Sequence, residues 1–323
     1  MNHVLITGAT GFVGGHLAER LRSQGTEVTA LVRDPARGRF LESLGVRLLH
    51  GELDGGPTLP GDLDAVFHLA GMTRAIRTGA YYSVNQKSTA SLLAGMLRQG
   101  LRPRFVFLST TAAGGPSLAG RPFRENDPPR PVSDYGKSKL LGEEAVIARK
   151  AELPVTVVRV GPVYGPRDPG FLDYFKLVRL GILPSIGRRP RPMSVCYIDD
   201  LVDGLLAAAD DAAGNGEIYH VGDPTPCTFE DLGRISARML GVKIHRIIVP
   251  LPLVRTAVFF TEAVRPITRK AGIANRDKYK EYKQDAWVVD VTKAKDRLGC
   301  AAHFDLMHGL EQTISWYLKT GAL

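Results

Sequence analysis

At 323 residues the chain has room for one large domain or two modest ones. Its 44% hydrophobic and 23% charged residues sit in the globular range, which excludes a disordered, collagen-like or coiled-coil protein. Lys and Arg outnumber Asp and Glu 42 to 33, and the net charge of +9 fits nucleic acid, an acidic membrane surface or a phosphorylated small molecule without choosing among them.

Cys196, Cys227 and Cys300 are odd in number, far apart and without CxxC spacing. Neither a disulfide framework nor a metal site is expected, and a reducing compartment is. No apolar run reaches the ~18 residues of a membrane span, and the first residues lead into a strand-like segment in place of a signal peptide. The expected location is the cytoplasm.

In chain order, segments 4–7, 27–32, 46–50, 65–69, 104–109 and 155–160 are short apolar or β-branched runs that predict strands. Being continuous instead of alternating, they belong to a parallel sheet covered on both faces. Segments 13–23, 82–99 and 134–151 carry helical spacing, which completes a doubly wound α/β pattern. After Arg159 the rhythm breaks at Gly161-Pro162-Val163-Tyr164-Gly165-Pro166 and again at the prolines of 184–192. Residues 198–210 are once more helical and 218–221 strand-like.

Between the first strand and the first helix, Gly8, Gly11 and Gly14 stand at GxxGxxG spacing. Such glycines permit a tight turn, backbone access to a pyrophosphate and close packing of helix on strand. Free amides at the helix N-terminus then meet the phosphate charge, so this context points to a dinucleotide. At the end of the second strand, Arg33 stands where an NAD-selective fold places an acid for the ribose hydroxyls. Its guanidinium can pair with a 2′-phosphate, with Arg37 and Arg39 near in sequence. NADP is therefore the expected cofactor and NAD the alternative, in which Asp34 holds the ribose and Arg33 stacks on adenine.

Tyr135 and Lys139, four apart at the start of a predicted helix, share one face. An ammonium beside a phenol lowers its pKa, which makes Tyr135 a usable acid/base. The strand ending Ser109-Thr110-Thr111 delivers hydroxyls to the sheet edge where open α/β folds bind ligands. Tyr279 and Lys283 repeat the spacing without a hydroxyl-bearing strand before them, and 278–283 reads as a solvated charged segment.

These residues resemble the extended short-chain dehydrogenases/reductases, the NAD-dependent epimerase/dehydratase family. The likeness runs through 7–14, Phe67-His68-Leu69-Ala70, Val84-Asn85, Ser109-Thr110, Tyr135 with Lys139, and Arg159. It continues in Val163-Tyr164-Gly165-Pro166, Tyr197-Ile198-Asp199-Asp200 and Leu310 with Trp316-Tyr317. The resemblance implies a Rossmann doubly wound parallel sheet with a smaller, irregular C-terminal substrate domain. Residues 1–165 plus 195–221 would form the dinucleotide-binding domain, and 166–194 with 222–323 the substrate region. It further implies Tyr135 as acid/base, Lys139 on the nicotinamide ribose and Thr110 orienting the substrate. The cofactor set expected with it is Gly8, Thr10, Gly11, Phe12, Val13, Gly14, Arg33, Glu52, Leu53, Leu69, Ala70, Gly71, Ser109, Tyr135, Lys139, Pro162 and Val163. Asn85 reads either as a structural or proton-relay residue or as a helix-bending one satisfied by backbone, and His68 as a core histidine.

Departures from the family narrow the chemistry. The Asp-Glu pair that follows the catalytic Thr in sugar-nucleotide dehydratases is replaced by Thr111 and Ala112. The diphosphate-binding Asn of the epimerases is Pro162, which has neither amide side chain nor N–H. Their Arg before the Asp199-Asp200 helix is Met193, with Arg191 two residues away. The pattern is closest to 3β-hydroxysteroid dehydrogenases and dihydroflavonol reductases. The expected activity is oxidation or reduction between alcohol and ketone on an apolar or cyclic small molecule. The alternatives are a nucleotide-sugar epimerase with tightly bound NAD and a cofactor-binding sensor without turnover.

Nucleic acid is not an expected partner. A homodimer is expected through 82–99 and 134–151. The segment 251–283 carries eight basic and three acidic residues beside Phe259, Phe260 and Val264. It reads as a substrate-domain helix with a solvated basic face, or as an amphipathic helix lying on an anionic membrane.

Overall fold

The computed structural model describes residues 1–117, 120–212, 214–256, 258, 275–300 and 302–323. Seven parallel strands form its main sheet: β1 (His3–Thr7), β2 (Glu27–Val32), β3 (Arg47–His50), β4 (Ala65–His68), β5 (Arg104–Thr110), β6 (Val155–Val160) and the later Glu217–Val221. The spatial order is β3-β2-β1-β4-β5-β6 with Glu217–Val221 at the far edge, so strand order reverses between β1 and β4. That reversal opens a crevice at the carboxyl edge of the sheet.

Strand periodicity explains how one sequence builds two cores. Val4, Ile6, Val28, Ala30 and Phe67 face Leu17 and Leu21 of α1 (Phe12–Ser23) together with Leu201 and Leu205 of the helix Ile198–Asp210. The intervening Leu5, Val66, Phe105 and Phe107 face Leu92, Leu93 and Met96 on one helix and Val146 on another. Alternate side chains point to opposite faces, and both faces are covered, which is why the strands read as unbroken apolar runs.

The predicted helix 82–99 is instead three pieces: Thr78–Tyr82, a π-helical turn over Ser83–Ser88 and the helix Thr89–Arg98. The wide turn lets Asn85 reach sideways. Its amide accepts from the Met72 N–H (2.7 Å), donates to the Met72 carbonyl (3.0 Å) and donates to Ser138 (2.9 Å). Asn85 thus clamps the loop after β4 to the next helix of that face, α6 (Asp134–Ile147). α6 ends sooner than its predicted limit at 151.

Two small parallel pairs lie outside the main sheet, Val163–Tyr164 with Cys196–Tyr197 and Ile182–Ile186 with His245–Val249. Much of the helix read in 251–283, the part at 257 and 259–274, lies outside the described residues. Among the described residues no helix is long and apolar enough to cross a membrane.

Candidate active site

The first loop is shaped by what its glycines leave out. Gly8 adopts φ +77°, and a Cβ there would lie 2.7 Å from the Ala70 amide nitrogen. A Cβ on Gly14 would lie 2.3 Å from the Gly8 carbonyl oxygen. Helix α1 therefore starts directly against the loop, with no side-chain cap and no acidic residue in its first turn. Its N-terminal amides and positive dipole end are left for an anion. Thr7 ties in the loop after β4: its carbonyl accepts from the Leu69 amide (3.1 Å) and its hydroxyl from the Ala70 amide (3.2 Å). The same hydroxyl meets His68 Nδ1 at 2.6 Å, and His68 Nε2 meets Thr89 at 2.9 Å. Burial pulls the His68 pKa down to about 3, so it is a neutral core residue.

On the far side of β1, Arg33 emerges at the end of β2. The Asp34 carboxylate accepts from the Ala36 amide at 3.0 Å and caps a short 3-10 turn, Pro35–Gly38. Arg33 is exposed, and its carbonyl accepts from His50 Nε2 at 3.0 Å. Next to it an open cleft of about 390 Å³ is lined by Leu49, His50, Gly51, Glu52, Gly55, Pro57 and Thr58. Leu53 packs on the second core nearby.

Across the crevice, Thr110 ends β5, and its hydroxyl accepts from the Ala112 amide at 3.2 Å. Ser133 caps α6 by accepting from the Gly136 amide at 3.0 Å, which turns Tyr135 in the first turn of α6 toward the strand end. The Tyr135 side chain faces Thr110, which favours its phenolate, while burial, the larger influence, pushes its pKa up. One turn on, Lys139 is 4% exposed and donates from Nζ to the Leu108 carbonyl at 2.7 Å, 3.9 Å above the Phe107 ring. Burial brings its ammonium down to about 7. Gly71 lies alongside, its Cβ direction 3.8 Å from Lys139 Nζ.

Ser109 points the other way. Its hydroxyl donates to Glu143, whose two carboxylate oxygens also hold the Arg159 guanidinium at 2.9 and 2.6 Å. This pair is 2% exposed on each side, so the Ser109 side chain is committed to the core and only its backbone faces the crevice. Pro162 accepts from the Cys196 amide at 3.0 Å, and Val163 follows in its short strand at the end of β6. The seventeen residues expected to hold a cofactor lie along the carboxyl edge of the sheet from β3 to β6, with Glu52 and Leu53 beyond β3 at one end and Pro162 and Val163 beyond β6 at the other.

Two expectations need correction. The Tyr135 pKa is not lowered toward neutrality by Lys139: burial raises it, and the ammonium that opposes this is Lys278. Lys139 is drawn to the Leu108 carbonyl instead. Nor is 278–283 a solvated segment. The helix Arg276–Tyr282 packs on the start of α6, where the Asp277 carboxylate accepts from the Asp134 and Tyr135 amides at 2.6 and 2.9 Å. Sequence spacing missed Asp277, Lys278 and Glu281 because no local pattern ties them to a helix some 140 residues earlier.

A glycine cradle without room for Cβ atoms, an uncapped helix end and a Thr–Tyr–Lys cluster at one sheet edge define a dinucleotide-dependent α/β enzyme. The chain belongs to the NAD dependent epimerase/dehydratase family, whose model matches residues 4–222. It is 28% identical to a ceramide reductase of Caulobacter vibrioides, over 99% of this chain and 96% of the other. It is also 28% identical to the 4-hydroxy-2-methyl-3-oxo-4-farnesyl-3,4-dihydroquinoline-1-oxide ketoreductase of Stigmatella aurantiaca, over 80% and 79%. Among solved structures it resembles a UDP-glucuronic acid 4-epimerase from Bacillus cereus in complex with NAD (TM-score 0.77, 20% identity, 98% and 99% coverage).

Proposed function

We propose that the protein is an NADP-dependent oxidoreductase that interconverts an alcohol and a ketone on an apolar or cyclic small molecule. The observation that carries this reading is the meeting of Thr110 at the end of β5 with Tyr135 at the start of α6, one helical turn before the buried Lys139. The cofactor fits the chain as built: Gly8, Gly11 and Gly14 let the first loop pack against backbone where a Cβ would collide, which leaves the uncapped N-terminus of α1 for a pyrophosphate, and Arg33 stands exposed for a 2′-phosphate while Asp34 is spent on its own turn. The nicotinamide, when bound, would supply or accept the hydride. Tyr135 would pass a proton between its phenol and the substrate oxygen, Thr110 would hold that oxygen, and Lys139 would hold the nicotinamide ribose. Residues 166–194 and 222–323 would form the substrate side.

Other positions support a reductase. Thr111 and Ala112 offer no carboxylate for elimination. Met193 is buried and pairs with Cys227 and Trp287, and Arg191 is spent on the Ile186 and Gln284 carbonyls. None of these presents a charge to a sugar-nucleotide diphosphate. The two relatives named above act on a ceramide and on a farnesyl-bearing ketone, in keeping with an apolar substrate.

Ketones of these kinds incubated with NADPH and with NADH test the reading. Turnover should require Tyr135: Tyr135→Phe should lose nearly all rate, at least 100-fold, with cofactor binding retained. A variant that keeps most of the rate would refute the mechanism. A purified protein that holds NAD through turnover and interconverts nucleotide sugars with no net redox would replace it with the epimerase reading.

A further inference from the structure

We propose that Lys278 is a positioning residue of this site: carried in on the C-terminal helix Arg276–Tyr282, it supplies the positive charge that faces the Tyr135 ring. The inference rests on the proposed role of Tyr135 and adds to it a group outside the Tyr–Lys motif. Lys278 Nζ lies 5.4 Å from the centre of the Tyr135 ring and 2.7 Å from Glu281 Oε2. Three further contacts hold the helix in place. Asp277 accepts from the backbone amides of Asp134 and Tyr135, Glu281 accepts from the Ser133 hydroxyl at 2.7 Å, and Lys280 pairs with Asp134 at 2.8 Å. Asn275 begins it by accepting from the Lys278 amide at 2.8 Å.

The groups that face the phenol come from every side. Thr110 on β5 faces it, Tyr81 packs at 6.0 Å between ring centres, and Lys278 and Glu281 approach from the C-terminal helix. Asp134 is turned toward Tyr82 and Lys280, and Asp277 is spent on the two amides. Tyr282 lies on the same arm, within the field of Arg74. Lys139 gives its ammonium to the Leu108 carbonyl and the Phe107 ring, so its charge is held on the strand side while that of Lys278 is held on the open side. Lys278 and Glu281 act on the phenol with opposite sign: the ammonium favours the phenolate and the carboxylate disfavours it. The electrostatic setting of Tyr135 therefore depends on a segment outside the 4–222 family match.

The test reads the ionisation of Tyr135 directly in the full-length, cofactor-free protein. Tyrosine labelled with ¹³C at Cζ gives one signal per ring, and the Tyr135 signal is the one missing from Tyr135→Phe. Lys278→Met should raise its titration midpoint by about one pH unit, Lys278→Arg should leave it near the parent value, and Glu281→Gln should lower it. Loss of the arm's packing alone would move Lys278→Met and Glu281→Gln in the same direction. That result, or midpoints that do not move, would overturn the inference. If Lys278→Met fails to fold, Glu281→Gln with Lys278→Arg still decides it by sign. Rate measurements on Tyr135→Phe stand apart: an active Tyr135→Phe refutes the proposed function and leaves the NMR result unaffected.

Discussion

Arg33 is the side chain on which the proposed cofactor preference turns. It stands exposed at the end of β2 while its neighbour Asp34 is tied to the Ala36 amide, so the residue free to meet a ribose substituent is the cation. Charge-assisted contacts to a phosphate contribute about 1.5–3 kcal/mol each. Arg33→Ala should accordingly weaken NADPH by roughly 10- to 100-fold and leave NADH almost unchanged, as measured by fluorescence titration of both. Equal or tighter binding of NADH by the parent protein would assign the site to NAD.

At the level of elements, α6 organises the site because four structures converge on it. Its N-terminus receives Ser133 and Asp277, its middle carries Lys139 against β5, and Gly142 and Ser138 meet the π-helical turn at Asn85. Glu143 then joins it to β6 through Arg159. This ion pair is fully desolvated, so its net contribution relative to an apolar pair is small, but removing one partner strands the other charge in the core. Glu143→Gln should destabilise the protein by about 3–5 kcal/mol. The double variant Glu143→Met, Arg159→Met should recover a large part of that loss. Urea titration of the two variants against the parent measures both effects.

Over the whole molecule, burial on both faces of the sheet makes stability sensitive to acid. His68 and His220 are fully buried, and burial lowers each pKa to about 3 from an ordinary 6.5. Between those values the unfolded chain binds protons that the folded chain does not. Each histidine then withdraws stability as pH falls from 6.5 toward 3, by up to about 1.4 kcal/mol per pH unit. His68→Asn should flatten the decline of urea stability between pH 6.5 and 4.5 relative to the parent, and an unchanged slope would remove His68 from the account. The proposed homodimer also belongs to this scale. Leu140 and Leu141 on α6 remain half-buried and join neither core. Sedimentation at micromolar concentration should give a species of twice 35.1 kDa, and Leu141→Glu should shift it to the monomer.

Local pattern sufficed for everything that repeats at short range. The apolar runs of the strands, the glycines at GxxGxxG spacing and the four-residue step from Tyr135 to Lys139 each reflect a periodicity of strand or helix. Together they specified the doubly wound sheet and the edge where the candidate site lies. Tertiary structure decided what depends on residues far apart in the chain. Asn85 widened a predicted helix into a π-helical turn by reaching Met72 and Ser138. Ser109 turned from the crevice to Glu143 because side chains alternate along a strand. The run 278–283 read as solvated because its charges are dense, yet Asp277, Lys280 and Glu281 find their partners at 133–135. No sequence interval records such a contact: it exists only because the fold returns the C-terminal helix to the start of α6, where backbone amides need an acceptor.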